Sequence, residues 1–159
     1  RAVVRDGQIV AGVTYNPANA DLFWSERGRG AFMNDKRLRV SARTRLDESV
    51  IGTGIPFLGH GQHARFLKEL HQVSQKVAGV RRYGAAALDL AWVAAGRMDG
   101  FWERDLHAWD VAAGLLMITE AGGKVSDAEG GEGALEGGSI VAGNPEIHAL
   151  LLSRIKAAQ

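Results

Sequence analysis

Glu103 and Asp110 are the side chains whose types and spacing first suggest chemistry. They stand seven residues apart in Phe-Trp-Glu-Arg-Asp-Leu-His-Ala-Trp-Asp, residues 101–110. A carboxylate offers hard oxygen ligands to a cation, can orient a water, and can accept hydrogen bonds from substrate hydroxyls. Asp110 falls where an apolar helical run begins. Free backbone N–H groups and the positive end of the helix dipole hold a carboxylate ionised there. The same placement suits an ordinary helix cap, and one carboxylate is not a metal site. Asp105 and His107 lie between the two acids; a loop histidine is more often solvated than a ligand or proton shuttle.

A second cluster is Arg82-Tyr83-Gly84-Ala85-Ala86-Ala87-Leu88-Asp89-Leu90-Ala91. A strand, a glycine and a helix N-terminus make an anion site from backbone N–H groups, and small side chains let a ligand approach them. Tight helix–sheet packing needs the same small residues, and on this segment alone it is the better reading. Arg81-Arg82 could attract a phosphate, yet arginines on a strand edge usually form a solvated face. His60, His63 and His71 follow no metal-ligand spacing. Gly28-Arg29-Gly30-Ala31-Phe32-Met33-Asn34 carries no evident chemistry and reads as a tight β connection with Phe32 in the core.

These residues need elements to position them. Asp6-Gly7 is a hairpin signal, and residues 1–40 read as antiparallel strands, the last of them Leu38-Arg39-Val40. Polar residues 41–48 mark a boundary, dividing the chain into 1–44, an antiparallel part, and 45–159, an α/β part. In the second part Val50–Gly54 reads as a strand ending in a glycine turn. Gln62–Lys76 reads as a helix with Phe66, Leu67, Leu70 and Val73 on its stripe. Val80–Tyr83 is a strand, Ala85–Ala95 a buried helix, Met98–Trp102 a strand, and Trp109–Ala121 a helix stopped by Gly122-Gly123. On this reading Glu103 and Asp110 both sit on a connecting segment at the carboxyl end of the sheet, where open α/β sheets bind ligands. Lys124–Asp127 and Ser139–Ala142 read as strands around a glycine-rich loop, Glu129–Gly138. Asn144-Pro145 caps a final helix that buries Ile147, Leu150, Leu151 and Ile155.

Composition bounds the function. The 159 residues are 46% hydrophobic and 23% charged with net charge +1, which leaves no electrostatic footprint for nucleic acid. No apolar run reaches the roughly 18 residues of a membrane span, and no signal segment opens the chain. The absence of cysteine removes thiolate chemistry, so any metal must be held by oxygen or imidazole. The default expectation is a cytoplasmic protein.

Taken together, these segments resemble the inositol monophosphatase family of metal-dependent phosphatases, over essentially the whole chain. Trp109-Asp110-Val111-Ala112-Ala113-Gly114 followed by Glu120-Ala121-Gly122-Gly123 is similar to the family's C-terminal signature. Gly84–Ala91, Ala95-Gly96-Arg97 and Asp99-Gly100-Phe101-Trp102-Glu103 resemble its substrate-binding stretch, and Gly28–Asn34 resembles its β-hairpin segment. The resemblance implies an α+β layered sandwich of the sugar phosphatase type. It implies Mg²⁺ as cofactor, Asp110 as a metal ligand and substrate contact, Gly84, Ala85 and Ala86 approaching the substrate by backbone, and Glu103 binding a hydroxyl. It further implies hydrolysis of a small polyol phosphate such as myo-inositol monophosphate, with histidinol phosphate or a sugar bisphosphate as alternatives, and a homodimer. The family's upstream Glu-Glu pair, its Asp-Pro-x-Asp-Gly-Thr motif and the threonine that helps activate water are absent from these residues. The chain is therefore expected to begin just after that motif, to contain no catalytic residue of its own, and to show little or no phosphatase activity. The competing reading is a non-catalytic α/β phosphate-binding or interaction module.

Overall fold

A computed structural model describes residues 1–136 and 138–158. Five antiparallel strands form a meander: β1 (Ala2–Arg5), β2 (Gln8–Asn16), β3 (Asp21–Glu26), β4 (Gly30–Met33) and β5 (Lys36–Arg37). Asp6 and Gly7, at φ 50° and 74°, form the two-residue turn whose left-handed backbone matches the twist of the strands it joins. The second sheet comprises β6 (Val50–Thr53), β7 (Gly79–Arg81), β8 (Gly100–Arg104), β9 (Lys124–Ser126) and β10 (Ser139–Gly143), in the order β7-β6-β8-β10-β9. Strands β7, β6 and β8 run parallel, and β10 is antiparallel to both β8 and β9.

Four helices complete the fold: α1 (His63–Ser74), α2 (Ala86–Ala94), α3 (Ala108–Glu120) and α4 (Pro145–Lys156). Helices α2 and α3 lie between the two sheets, and α4, beside α1, packs on the opposite face of the second sheet. Strand alternation distributes side chains to these layers. Phe101 and Ile140 join Phe23, Leu90 and Met117 in the core around α2 and α3. Trp102 and Val141, one residue on, join Phe66, Ile147 and Leu151 beneath α1 and α4. The result is the mixed α/β layered arrangement expected from the sequence.

The sequence motifs have identifiable structural work. A Cβ at Gly12 would lie 2.9 Å from the Ala113 Cα, so glycine lets α3 sit directly on β2. The Glu120 carboxylate accepts the backbone N–H groups of Gly28 and Gly30 at 2.7 and 2.8 Å, locking the β3–β4 turn to the end of α3. Buried Asp99 accepts the Val50 N–H at 2.7 Å and an Arg43 N–H at 3.2 Å. Asn144 caps α4 through Ile147 N–H and donates to the Ser41 and Arg43 carbonyls, fixing the segment that joins the sheets.

Several local expectations are corrected. Phe32 is only half-buried: it lies opposite Trp24 on the outer face of the first sheet, stacked at 4.5 Å, while Phe23 and Ala31 face inward. The last strand of the meander is Lys36–Arg37, not residues 38–40, and β7 stops at Arg81, freeing Arg82 and Tyr83. Leu67 is 61% exposed because it lies about 100° around α1 from Phe66. Leu150 likewise falls outside the buried arc of α4, where His148 is buried instead. The glycine-rich loop contains a 3₁₀ turn at Gly133–Leu135; its Gly137 lies outside the described residues.

Candidate active site

The carboxyl ends of β6, β7 and β8 meet the N-termini of α2 and α3 around a cavity of about 610 Å³. Gly84, Ala85, Ala86, Glu103 and Asp110 all line it. Residues separated by up to 26 positions in the chain thus share one wall, because parallel strands deliver their C-terminal loops to the same sheet edge.

Gly84 has φ 86°, a left-handed conformation that turns the chain sharply from β7 into α2. The N-cap of α2 is Ala85, whose methyl cannot cap it, so the small residues of this turn expose backbone to the cavity. Glu103 lies within β8, not on the connecting loop as the sequence suggested. Its carboxylate rests on Gly54 at the end of β6, where a Cβ would overlap it. Burial pushes the Glu103 carboxyl from 4.5 up to about 7; nearby Asp89 and Asp110 reinforce the shift, and the Arg82 charge opposes it. Asp89, on α2, is 2% exposed, and its Oδ1 has no hydrogen-bond partner. Burial raises Asp89 to about 6, against hydrogen bonding to the Ala85 backbone and the charge of Arg82.

Asp110 is the third residue of α3, and its Oδ2 accepts the His107 backbone N–H at 3.0 Å. The cap reading is therefore correct for one of its oxygens. His107 stacks on Trp109 at 4.4 Å, and Trp109 is 76% exposed at the cavity rim. His60 stacks on Phe57 and sits 3.2 Å from the Asp105 carbonyl, which ties the 54–62 loop to the 105–107 loop. His63 and His71 do not line the cavity.

Magnesium requires about six oxygens in near-octahedral array. Among the described residues no group of three or more acidic or histidine side chains is placed to hold a metal ion. Asp110 offers one carboxylate, already committed in part to a helix cap, so this chain's residues do not by themselves fit the ion.

Sequence reasoning missed three contributors. Arg82, set aside as a solvated strand-edge residue, lines the cavity and acts electrostatically on both Glu103 and Asp89. Gly54 was legible only as a turn. Glu69 is 1% exposed and receives Arg104 Nε at 2.6 Å, with Arg65 Nε at 3.6 Å. The available signal was an acid three residues after Phe66, inside the apolar arc of α1.

The sequence profile of the inositol monophosphatase family matches residues 2–159. The chain belongs to the inositol monophosphatase family. It is 61% identical over 160 aligned residues to an inositol-1-monophosphatase of Caulobacter vibrioides, covering 99% of this chain and 62% of that one. It is 45% identical over 156 residues to a putative Nus factor SuhB of Neisseria meningitidis, covering 98% and 60%. The crystal structure of the extragenic suppressor protein suhB from Bartonella henselae superposes with TM-score 0.94 at 55% identity, over 98% of this chain and 60% of the other. The chain thus spans about three fifths of the length of these family members.

Proposed function

We propose that the cavity binds the phosphate monoester of a small polyol, as part of a phosphomonoester hydrolase. The observation that carries this reading is the convergence of the Gly84–Ala86 backbone, Glu103 and Asp110 on one cavity at the carboxyl edge of the sheet. The α2 N-terminus favours the phosphate, Glu103 accepts hydrogen bonds from polyol hydroxyls, and Asp110 supplies one carboxylate to a metal. The family supports the chemistry, and an inositol monophosphatase of Caulobacter vibrioides is the namesake of the polyol ester. A magnesium ion would polarise the phosphate and activate water, but it needs more ligands than the described residues of this chain bring.

The incomplete set of metal-ligating side chains among the described residues favours a second reading, in which the chain binds the ester without turnover. Titration of the purified chain with myo-inositol 1-phosphate, followed by calorimetry, tests binding; phosphate release with magnesium present tests turnover. The expected result is saturable binding, weakened at least tenfold by Glu103→Ala, with no phosphate release above background. No binding would refute the site. Release at an ordinary enzymatic rate, on the order of 1–10³ per second, would refute the claim that the ligand set is incomplete.

A further inference from the structure

A second cavity, of about 410 Å³, lies beside the later turns of α3, bordered by the start of β2, by β9 and by the 3₁₀ turn at Gly133–Leu135. It shares no lining residue with the ester cavity among those described. Ile9, Leu115, Val125 and Leu135 give it apolar walls continuous with the core around α2 and α3.

The charged side chains on these walls are Arg27 and Glu132. Arg27 follows the last residue of β3. Its backbone N–H donates to the Val10 carbonyl at 2.9 Å and its Nε to the Ile9 carbonyl at 2.8 Å. The side chain thus extends the β2–β3 ladder by one rung, which holds the guanidinium at the cavity and leaves its Nη nitrogens open. Among the described residues neither Arg27 nor Glu132 enters an ion pair, with each other or with a third group. Neighbouring charges do not supply one. Glu120 is committed to the Gly28 and Gly30 N–H groups, and Asp6 and Lys124 do not line the cavity. The hydroxyls on the walls are also engaged: Ser126 with the Asp127 carbonyl and His148, Thr119 with the Leu115 carbonyl.

One cation and one anion, unpaired and sharing an apolar cavity, suit a ligand that carries both charges. A phosphate would be repelled by Glu132 and a simple cation by Arg27, whereas a zwitterion pairs with both and rests its hydrocarbon on the walls. We propose that this cavity binds a small apolar amino acid as its zwitterion, the carboxylate on the Arg27 fork and the ammonium on Glu132. Its volume lies within the roughly 300–1,000 Å³ typical of small-molecule pockets. The proposal does not depend on the ester site.

The test is an NMR titration of the chain with L-leucine. The amino acid is expected to shift the backbone amides of Gln8, Leu115, Val125 and Ala134 and leave those of Gly84–Ala86 unmoved, with a Kd on the order of 1 mM for so small a ligand. Leucinamide lacks the carboxylate and 4-methylpentanoate lacks the ammonium, so each should bind at least tenfold more weakly. Arg27→Gln and Glu132→Gln should each weaken L-leucine at least tenfold. Glu132→Gln should leave 4-methylpentanoate binding unchanged or tighter, a gain that a folding defect would not produce. Absence of shifts around this cavity, shifts confined to Gly84–Ala86, or equal affinity for the three probes would overturn the proposal and leave the ester reading untouched.

Discussion

Replacing Glu103 by glutamine should stabilise the protein at alkaline pH and leave it nearly unchanged in acid. Burial, Asp89 and Asp110 raise the Glu103 carboxyl from 4.5 to about 7. A carboxyl that binds its proton more tightly in the folded state contributes stability below the unfolded pKa. That contribution is lost as pH rises from about 4.5 through about 7. That rise, at ~1.4 kcal/mol per pH unit, gives a ceiling of ~3.5 kcal/mol. Glu103 borders an open cavity, so solvent screening reduces this to about 1.5 kcal/mol. For a chain of this size that is roughly a 3–6 °C gain in Tm for Glu103→Gln at pH 8, against little change at pH 4.5. The assay is thermal unfolding of wild type and variant at both pH values with chelator present. Buried His148, lowered to about 4 by desolvation and by Lys124, tilts the pH profile the other way, but it is common to both proteins and cancels in the difference. An equal Tm difference at both pH values, or a loss of stability at pH 8, would refute this account of the site's electrostatics.

Three further outcomes follow from the packing. Gly54→Ala places a methyl in the Glu103 carboxylate and should weaken polyol phosphate binding at least tenfold by calorimetry, with far-UV circular dichroism unchanged. Glu120→Ala removes the carboxylate that holds the Gly28 and Gly30 N–H groups and should cost about 2 kcal/mol in urea denaturation, leaving ester affinity intact. Glu69→Ala leaves Arg104 without its buried partner and should cost about 3 kcal/mol by the same measurement, whereas Arg65→Ala at the more exposed end should cost under 1 kcal/mol.

Much of the architecture was legible because its signals are local. Asp6-Gly7 reports a turn, Asn144-Pro145 reports a helix start, and the order of strands and helices after residue 50 reports an α/β sheet, a class of sheet in which ligand sites lie at the carboxyl edge. Fold order placed Glu103 and Asp110 near that edge, whereas Gly84, Ala85 and Ala86 were nominated through the family resemblance, since their own segment reads equally as tight packing. Side-chain placement within elements was less legible. Phe32 and Leu67 are apolar residues one pleat or about 100° away from the core, and local sequence does not say which of two adjacent apolar residues turns inward. Long-range contacts were opaque. The Gly54–Glu103 packing and the Glu69–Arg104 pair join residues 49 and 35 positions apart, and only the parallel pairing of β6 with β8 brings the first pair together. Arg82 was misjudged for a similar reason: β7 ends one residue before it, so it leaves the strand edge and borders the cavity.

The most direct test of the central claim is a crystal structure of this chain soaked with myo-inositol 1-phosphate. The account expects the ester in the cavity, its phosphate within about 3 Å of the Gly84–Ala86 backbone N–H groups and a ring hydroxyl at hydrogen-bond distance from Glu103. An ester bound elsewhere, or a cavity that stays free of it at concentrations saturating in solution, would contradict the account.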